Sequence, residues 1–311
     1  MDEVTNAKGL EEREFVALSQ TSFSSLIMSD LTKAIEGTGT PDDARLPGGS
    51  APTDPASFNK LSWPIEPLPF DLHQDEVHVW SCRLDPSSDL LARFGSVLSL
   101  EERERAARFR FDLHRNRFIA GRGWIRFLLG SYLKIAPEQI NFCYGDHGKP
   151  AIVHPCDHNG VHFNLAHSDV IALAGVTRMG PLGLDVEGIR TVKDVAELVQ
   201  RFFSARENSL FQELSPEQKN IAFFNLWTRK EAWLKATGQG ISQNLNRVEV
   251  SFLPGESARL LALPEAFHSP NNTWSLHELV PAPGFVGALA ICAEKLRISC
   301  RQWRYEESPT F

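Results

Sequence analysis

The chain has 311 residues, 42% of them hydrophobic and 23% charged, with a formal net charge of −7. That length can bury two ordinary cores, the composition is globular rather than disordered, and the acidic balance argues against a nucleic-acid partner. No run reaches the roughly eighteen apolar residues of a membrane span, and the acid-rich opening MDEVTNAKGLEEREF lacks the basic start of a leader, so a cytoplasmic protein without membrane attachment is expected.

Residues 1–74 differ from the rest. A short helical pattern at Gly9–Ser19 gives way to GTGTPDDARLPGGSAPTDPAS, which is too poor in apolar side chains to offset its ordering entropy and reads as a mostly disordered arm. The prolines of WPIEPLPFDL predict an extended segment lying on the body through Trp63, Ile65, Leu68 and Phe70. From Val77 onward the pattern tightens: a strand at 77–84, helices at 99–110 and 114–133, and strands at 139–144, 162–166 and 170–177. The same order then returns, with a strand at 182–187, helices at 192–202, 205–214 and 218–237, and strands at 247–253, 274–279 and 287–293. NRFIAGRGWIRFLLGSYL is echoed by AFFNLWTRKEAWLKATGQG, and VHFNLAHSDVIALAGV by WSLHELVPAPGFVGALAI. The repeat predicts an α+β fold of two similar α/β lobes, 75–181 and 182–311, related by an approximate two-fold with a cleft where they meet. One chain would then supply both walls, so a monomer suffices. The five cysteines, Cys82, Cys143, Cys156, Cys292 and Cys300, are odd in number and lack zinc-ligand spacing, which predicts reduced thiols.

Four short stretches carry the chemistry. In WTRKEAWLKATGQG, Glu231 and Lys235 are four apart and share a helix face, with Lys230 on the next flank. In GLDVEGIR, Asp185 and Glu187 are two apart on a strand and point to one side. Three carboxylates that converge suit a hard divalent cation, which takes oxygen ligands together with the phosphates of a substrate. GDHGKP places Lys149 in a glycine turn between Gly148 and Pro150 but matches neither a P-loop nor a dinucleotide fingerprint. His167 ends the strand FNLA just before Ser168, with Asn164 suited to hold the turn, and arginines at 103, 105, 108, 110, 115, 117, 122 and 126 include cations suited to a terminal phosphate. Each stretch alone has an ordinary explanation as a surface ion pair, a strand-end acid, a hairpin or a solvated helix face; together they describe metal-assisted chemistry on a phosphate ester.

GDHGKP, FNLAHSD, GLDVE and WTRKEAWLKATGQG, in this order and at these intervals, resemble the motif series of 4′-phosphopantetheinyl transferases of the large Sfp-like, surfactin-synthetase-activating type, over roughly Val77–Ala293. The resemblance implies transfer of the phosphopantetheine arm of coenzyme A to a serine of an apo acyl, peptidyl or aryl carrier protein, with release of adenosine 3′,5′-bisphosphate. It implies Mg²⁺ or Mn²⁺ held by Asp185, Glu187 and Glu231, with Glu231 taking the serine proton and Lys235 meeting the departing phosphate. It also puts Lys230, His167 and Ser168 on phosphates, Gly148, Lys149 and Pro150 near the adenine, and Arg105 and Arg115 on the 3′-phosphate. Two positions depart from relatives: Ala166 stands where a serine is common, and Glu102 where some have lysine. Phe202, Phe203, Phe211, Phe223 and Phe224 read as core rather than carrier docking. The alternatives are a metal-dependent phosphodiesterase acting on a nucleotide, and a non-catalytic module that binds coenzyme A or a carrier.

Overall fold

A computed structural model describes residues 63–65, 71–145, 147–153, 160–239, 245–267 and 273–303. Most of the arm expected to be disordered, with Leu68 and Phe70, lies outside the described residues. The first half runs β1 (Glu76–Arg83), α1 (Ser88–Ser96), α2 (Leu100–Ala107), α3 (Asp112–Leu133), β2 (Phe142–Tyr144), β3 (Pro150–Ile152), β4 (His162–Ser168) and β5 (Ile171–Thr177). The second runs β6 (Leu182–Gly188), α4 (Val195–Phe202), α5 (Ala205–Gln212), α6 (Pro216–Thr237), β7 (Glu249–Val250), β8 (Leu260–Ala262), β9 (Trp274–Leu279), β10 (Phe285–Cys292) and β11 (Arg297–Gln302). This is a mixed α+β fold, and its two long helices, α3 and α6, are each 22 residues long.

The strands form a four-stranded sheet ordered β11-β1-β5-β4 and a three-stranded sheet ordered β6-β10-β9, with two small hairpins, β2-β3 and β7-β8. Alternation along each strand sorts side chains onto two faces. Val77, Val79, Ile171 and Leu173 of the first sheet pack with Leu182, Leu184, Val186, Leu289 and Ile291 of the second, forming an apolar layer between the sheets. Their neighbours face outward: Trp80, Cys82, Ala174 and Val176 meet Trp124, Ile125 and Leu128 of α3. On the other side, Val286, Ala288 and Ala290 share a core with Phe223, Leu226, Trp227 and Trp233 of α6. The order is therefore helix, sheet, sheet, helix.

Local sequence sets the helix boundaries. Ser99 and Ser204 start α2 and α5 with reciprocal capping boxes through Glu102 and Glu207, each satisfying two main-chain donors. α6 opens with Pro216 in its first turn and stops at Gly238, whose φ of 71° is a left-handed conformation that costs glycine little.

The last strand departs from the expected partition. β11 pairs in parallel with β1, with Glu76 opposite Arg297 and Ser81 opposite Gln302, so a segment placed at 182–311 completes the first sheet. Arg297 Nε and Nη2 fix its start by donating to the Asp75 carboxylate, each at 3.0 Å. The expected extended segment reaches this edge: Ile65 bridges Gln302 in parallel, and Trp63 packs on the layer between the sheets. The expected strand at 247–253 is confined to Glu249–Val250, and the one at 139–144 begins only at Phe142, after a 3₁₀ turn at Pro137–Gln139.

Candidate active site

Because Leu182, Leu184 and Val186 fill the layer between the sheets, the intervening Gly183, Asp185 and Glu187 face α6. Gly183 lets strand and helix touch: a Cβ there would lie 2.0 Å from Ala232 O and 2.3 Å from Ala236 N. Glu231 and Lys235 lie on the contacting side of α6, and Lys235 Nζ donates to Asp185 Oδ1 at 2.6 Å. The acids therefore occupy the interface of β6 and α6, on the outer face of the second sheet rather than in the apolar layer between the lobes.

β6 is an edge strand, and its open edge faces β4 of the first sheet. Side chains replace a main-chain ladder there: Leu184 N donates to Asn164 Oδ1 at 2.7 Å, and Gly188 N to Ser168 Oγ at 3.2 Å. Both contacts span 20 residues, so β4 and β6 run in the same direction. Asn164, expected to hold the turn after β4, instead pins the edge of β6. Ser168 Oγ also donates to Glu187 Oε2 at 2.8 Å, and Arg190 Nη1 donates to the same oxygen at 3.1 Å.

The cluster is crowded with buried charge. Asp185 and Glu231 are 6% and 2% exposed. Burial raises the pKa of both carboxyls; Lys235 opposes this, and repulsion from neighbouring acids adds to it. Burial lowers the pKa of Lys235, but Asp185, Glu231 and Glu187 outweigh it and raise the ammonium's pKa overall. His167 is pushed down to about 4 by burial, then by the cations of Lys235 and Arg117, so its imidazole is neutral at physiological pH. Lys149 is lowered to about 8 by burial and by Lys235.

The donor set fits a divalent cation in its chemistry. Asp185 Oδ2 and Glu231 Oε1 are buried with no hydrogen-bond partner among the described residues, the kind of uncompensated hard oxygen that a cation or a ligand group satisfies. It is not a ready three-ligand cage. Among the described residues no three His, Cys, Asp or Glu side chains stand close enough to hold an ion as they are. Lys235 holds one oxygen of Asp185, while Ser168 and Arg190 hold one of Glu187.

His167, Ser168, Asp185, Glu187, Glu231 and Lys235 are thus brought together, with Lys149 of the Gly148–Pro150 turn alongside. Lys230 is not among them. Its ammonium is fully buried on the far flank of α6, donating to Glu207 Oε2 and Leu245 O with Phe203 beside it, so the expected phosphate contact is replaced by an internal ion pair. Arg115 pairs with Asp112 at 2.8 Å in the first turn of α3, and the Arg105 guanidinium lies 5.5 Å from the centre of the Phe118 ring. Arg117 is the cation that sequence reasoning left undistinguished: it pairs with Asp169 at 2.8 Å in the turn after β4 and acts electrostatically on His167. Its two-residue spacing from Arg115 gave no cue, because the contact depends on where the β4-β5 turn lands. Glu102 is buried, binding Arg122 Nη2 at 2.7 Å and Arg126 Nε at 2.8 Å while capping α2, so it ties α2 to α3. Ala166 belongs to the apolar layer between the sheets.

A family model described as the 4′-phosphopantetheinyl transferase superfamily matches residues 181–292, and one described as 4′-phosphopantetheinyl transferase, N-terminal, matches residues 82–178. The chain is 41% identical over 230 residues to the 4′-phosphopantetheinyl transferase HetI of Nostoc sp. (strain PCC 7120), covering 74% of this chain and 93% of HetI. It is 32% identical over 224 residues to 4′-phosphopantetheinyl transferase psf-1 of Bacillus pumilus, covering 70% and 91%, and 29% identical over 178 residues to 4′-phosphopantetheinyl transferase Sfp of Bacillus subtilis (strain 168), covering 57% and 76%. With the acid-bearing strand and helix inside one matched segment and the histidine-bearing strand inside the other, the chain belongs to the 4′-phosphopantetheinyl transferases, an enzyme family of Sfp-like type.

Proposed function

We propose that this enzyme moves the 4′-phosphopantetheine arm of coenzyme A onto a serine hydroxyl of an apo acyl or peptidyl carrier protein and releases adenosine 3′,5′-bisphosphate. The observation that carries the reading is the pair of buried oxygens, Asp185 Oδ2 and Glu231 Oε1, that have no partner among the described residues and lie beside the Lys235 ammonium. Asp185, Glu187 and Glu231 would hold Mg²⁺ or Mn²⁺, with Ser168 and Arg190 orienting Glu187. Such an ion, when bound, neutralises the charge that grows on a pyrophosphate as its anhydride bond breaks.

The residues supply the rest. Burial and neighbouring acids make Glu231 a stronger base than an ordinary carboxylate, which suits it to take the carrier serine proton as the serine oxygen bonds to phosphorus. Lys235, held charged by the surrounding acids, stabilises the departing phosphate. Neutral His167 can donate one hydrogen bond to a phosphate oxygen, and Arg117 adds a cation beside it; Arg105, Arg115 and the backbone of the Gly148–Pro150 turn are proposed contacts to the nucleotide end. One chain supplies every group named here, so a monomer suffices for the reaction.

Incubation of the full chain with coenzyme A, Mg²⁺ and an apo carrier protein tests the proposal. The carrier should gain the mass of one phosphopantetheine at its serine, with adenosine 3′,5′-bisphosphate appearing in equal amount. Consumption of coenzyme A at the same rate without a carrier would replace transfer by hydrolysis. Coenzyme A bound but unconsumed in the presence of several carriers would leave only a binding module.

A further inference from the structure

The open edge of β6 is held at three alternate positions by side chains of the first lobe: Leu182 O by Lys149, Leu184 N by Asn164, and Gly188 N by Ser168. Lys149 differs from the other two because its ammonium has a second acceptor. Nζ donates to Leu182 O at 2.9 Å and to Lys235 O at 2.6 Å, joining segments 33 and 86 residues away in sequence. Both carbonyls need such a donor. Among the described residues β6 is the edge strand of its sheet, and the Leu182 carbonyl lies on its open edge with Leu184 N, while Lys235 is among the last four residues of α6, whose carbonyls lack an intrahelical donor. A cation also suits the negative end of the helix dipole. The two bonded carbonyls flank the site closely: Leu182 is three residues before Asp185, and the Lys235 side chain is the group bonded to Asp185.

We propose that Lys149 is a positioning residue for the transfer, its side chain fixing the spacing of the strand that carries Asp185 and the helix that carries Glu231 and Lys235. The glycine at 183 lets the two backbones touch, and Lys149 fastens them together at the same end. The geometry that results is the Asp185–Lys235 bond and the facing of Asp185 and Glu231. This inference rests on the reading of those three residues as the reacting groups, and it assigns the Lys149 ammonium to the protein's own carbonyls rather than to the nucleotide. A displacement of about 1 Å at reacting groups can cost on the order of a hundredfold in rate, so loss of the clamp should be read in turnover.

The test compares K149M, K149R and E231Q with wild type in the full chain, using steady-state transfer to an apo carrier with coenzyme A and Mg²⁺, and circular dichroism as the check of folding. K149M should lower kcat about 10- to 100-fold while KM for coenzyme A stays within about twofold. K149R, which keeps the charge and supplies donors for both carbonyls, should return kcat to within about threefold of wild type at the same KM. A KM for coenzyme A raised about tenfold with kcat intact would overturn the proposal by making Lys149 a ligand contact; folded K149M with wild-type kcat and KM would overturn it by making the clamp dispensable. Should K149M not fold, K149Q, which keeps a donor without the charge, is read by the same split. An E231Q enzyme at full rate would sink the reading of the site whatever Lys149 does, whereas inactive E231Q beside an unimpaired K149M sinks only the role of Lys149.

Discussion

Asp185 and Glu231 share one small buried volume in which Lys235 opposes two mutually repelling carboxylates, and the fold holds them there at a cost to its own stability. An acid whose pKa is higher folded than unfolded binds more protons in the folded state, so stability is lost as pH rises from the ordinary carboxylate value toward the raised one. Burial and repulsion raise Glu231 in this way. Without divalent ions, E231Q should therefore melt above wild type at pH 8 and at nearly the same temperature at pH 4, with roughly 2–4 °C gained for each kcal/mol recovered. A lower melting temperature for E231Q at pH 8 would show that the carboxylate stabilises the fold. Lys230, next in sequence to Glu231, behaves oppositely. One residue is about a quarter-turn of helix, which carries Lys230 from the β6 face to the Glu207 face, a distinction that adjacency in the sequence conceals. K230M should cost about 3–5 kcal/mol by stranding the buried Glu207 charge, measured by denaturant unfolding, while KM for coenzyme A in the folded fraction is unchanged; a raised KM would restore the phosphate contact.

Strand and helix periodicity placed Asp185 with Glu187, and Glu231 with Lys235, because those spacings are fixed locally by the backbone. That β6 lies directly against α6 depends on Gly183, and the sequence alone marks it only as a glycine in a strand. Gly183→Ala should push α6 off β6, because the added Cβ would run into Ala232 O and Ala236 N of the helix, costing about 1–3 kcal/mol from overpacking and lowering kcat much more than KM. The measurement is a melting curve paired with steady-state kinetics; normal turnover in the folded variant would mean that the strand–helix spacing does not matter. Long helices and the longer antiparallel strands were legible through their periods, whereas the three-residue β3 and β8 are too short to show one. α1 was missed even though Ser87 caps it and Asp89 lies in its first turn, since its nine residues include Gly95 and flanking serines that read as loop. β11 was missed for a different reason: none of its six residues is fully buried, and its partner β1 lies more than 200 residues earlier, so no local pattern announces it.

At the scale of the molecule, two sheets packed face to face with a helix outside each put the reacting groups on one lobe and their supports on the other. Asp185, Glu231 and Lys235 belong to β6 and α6, while Lys149 reaches them from the turn before β3 and Asn164, His167 and Ser168 from β4. The internal repeat predicted the two lobes and their long helices, but not the swap by which β11 closes the first sheet. Packing of Leu182, Leu184 and Val186 between the sheets turns the acids to the helix side of β6, where the open edge of that strand meets β4 of the first lobe. The most direct test of the account is the initial rate at which an apo carrier gains phosphopantetheine mass from coenzyme A and Mg²⁺, measured for wild type and E231Q side by side. The account predicts rapid conversion by wild type and a loss of about 10²–10⁴-fold in E231Q, with circular dichroism unchanged; equal rates, or no conversion by either, would contradict it.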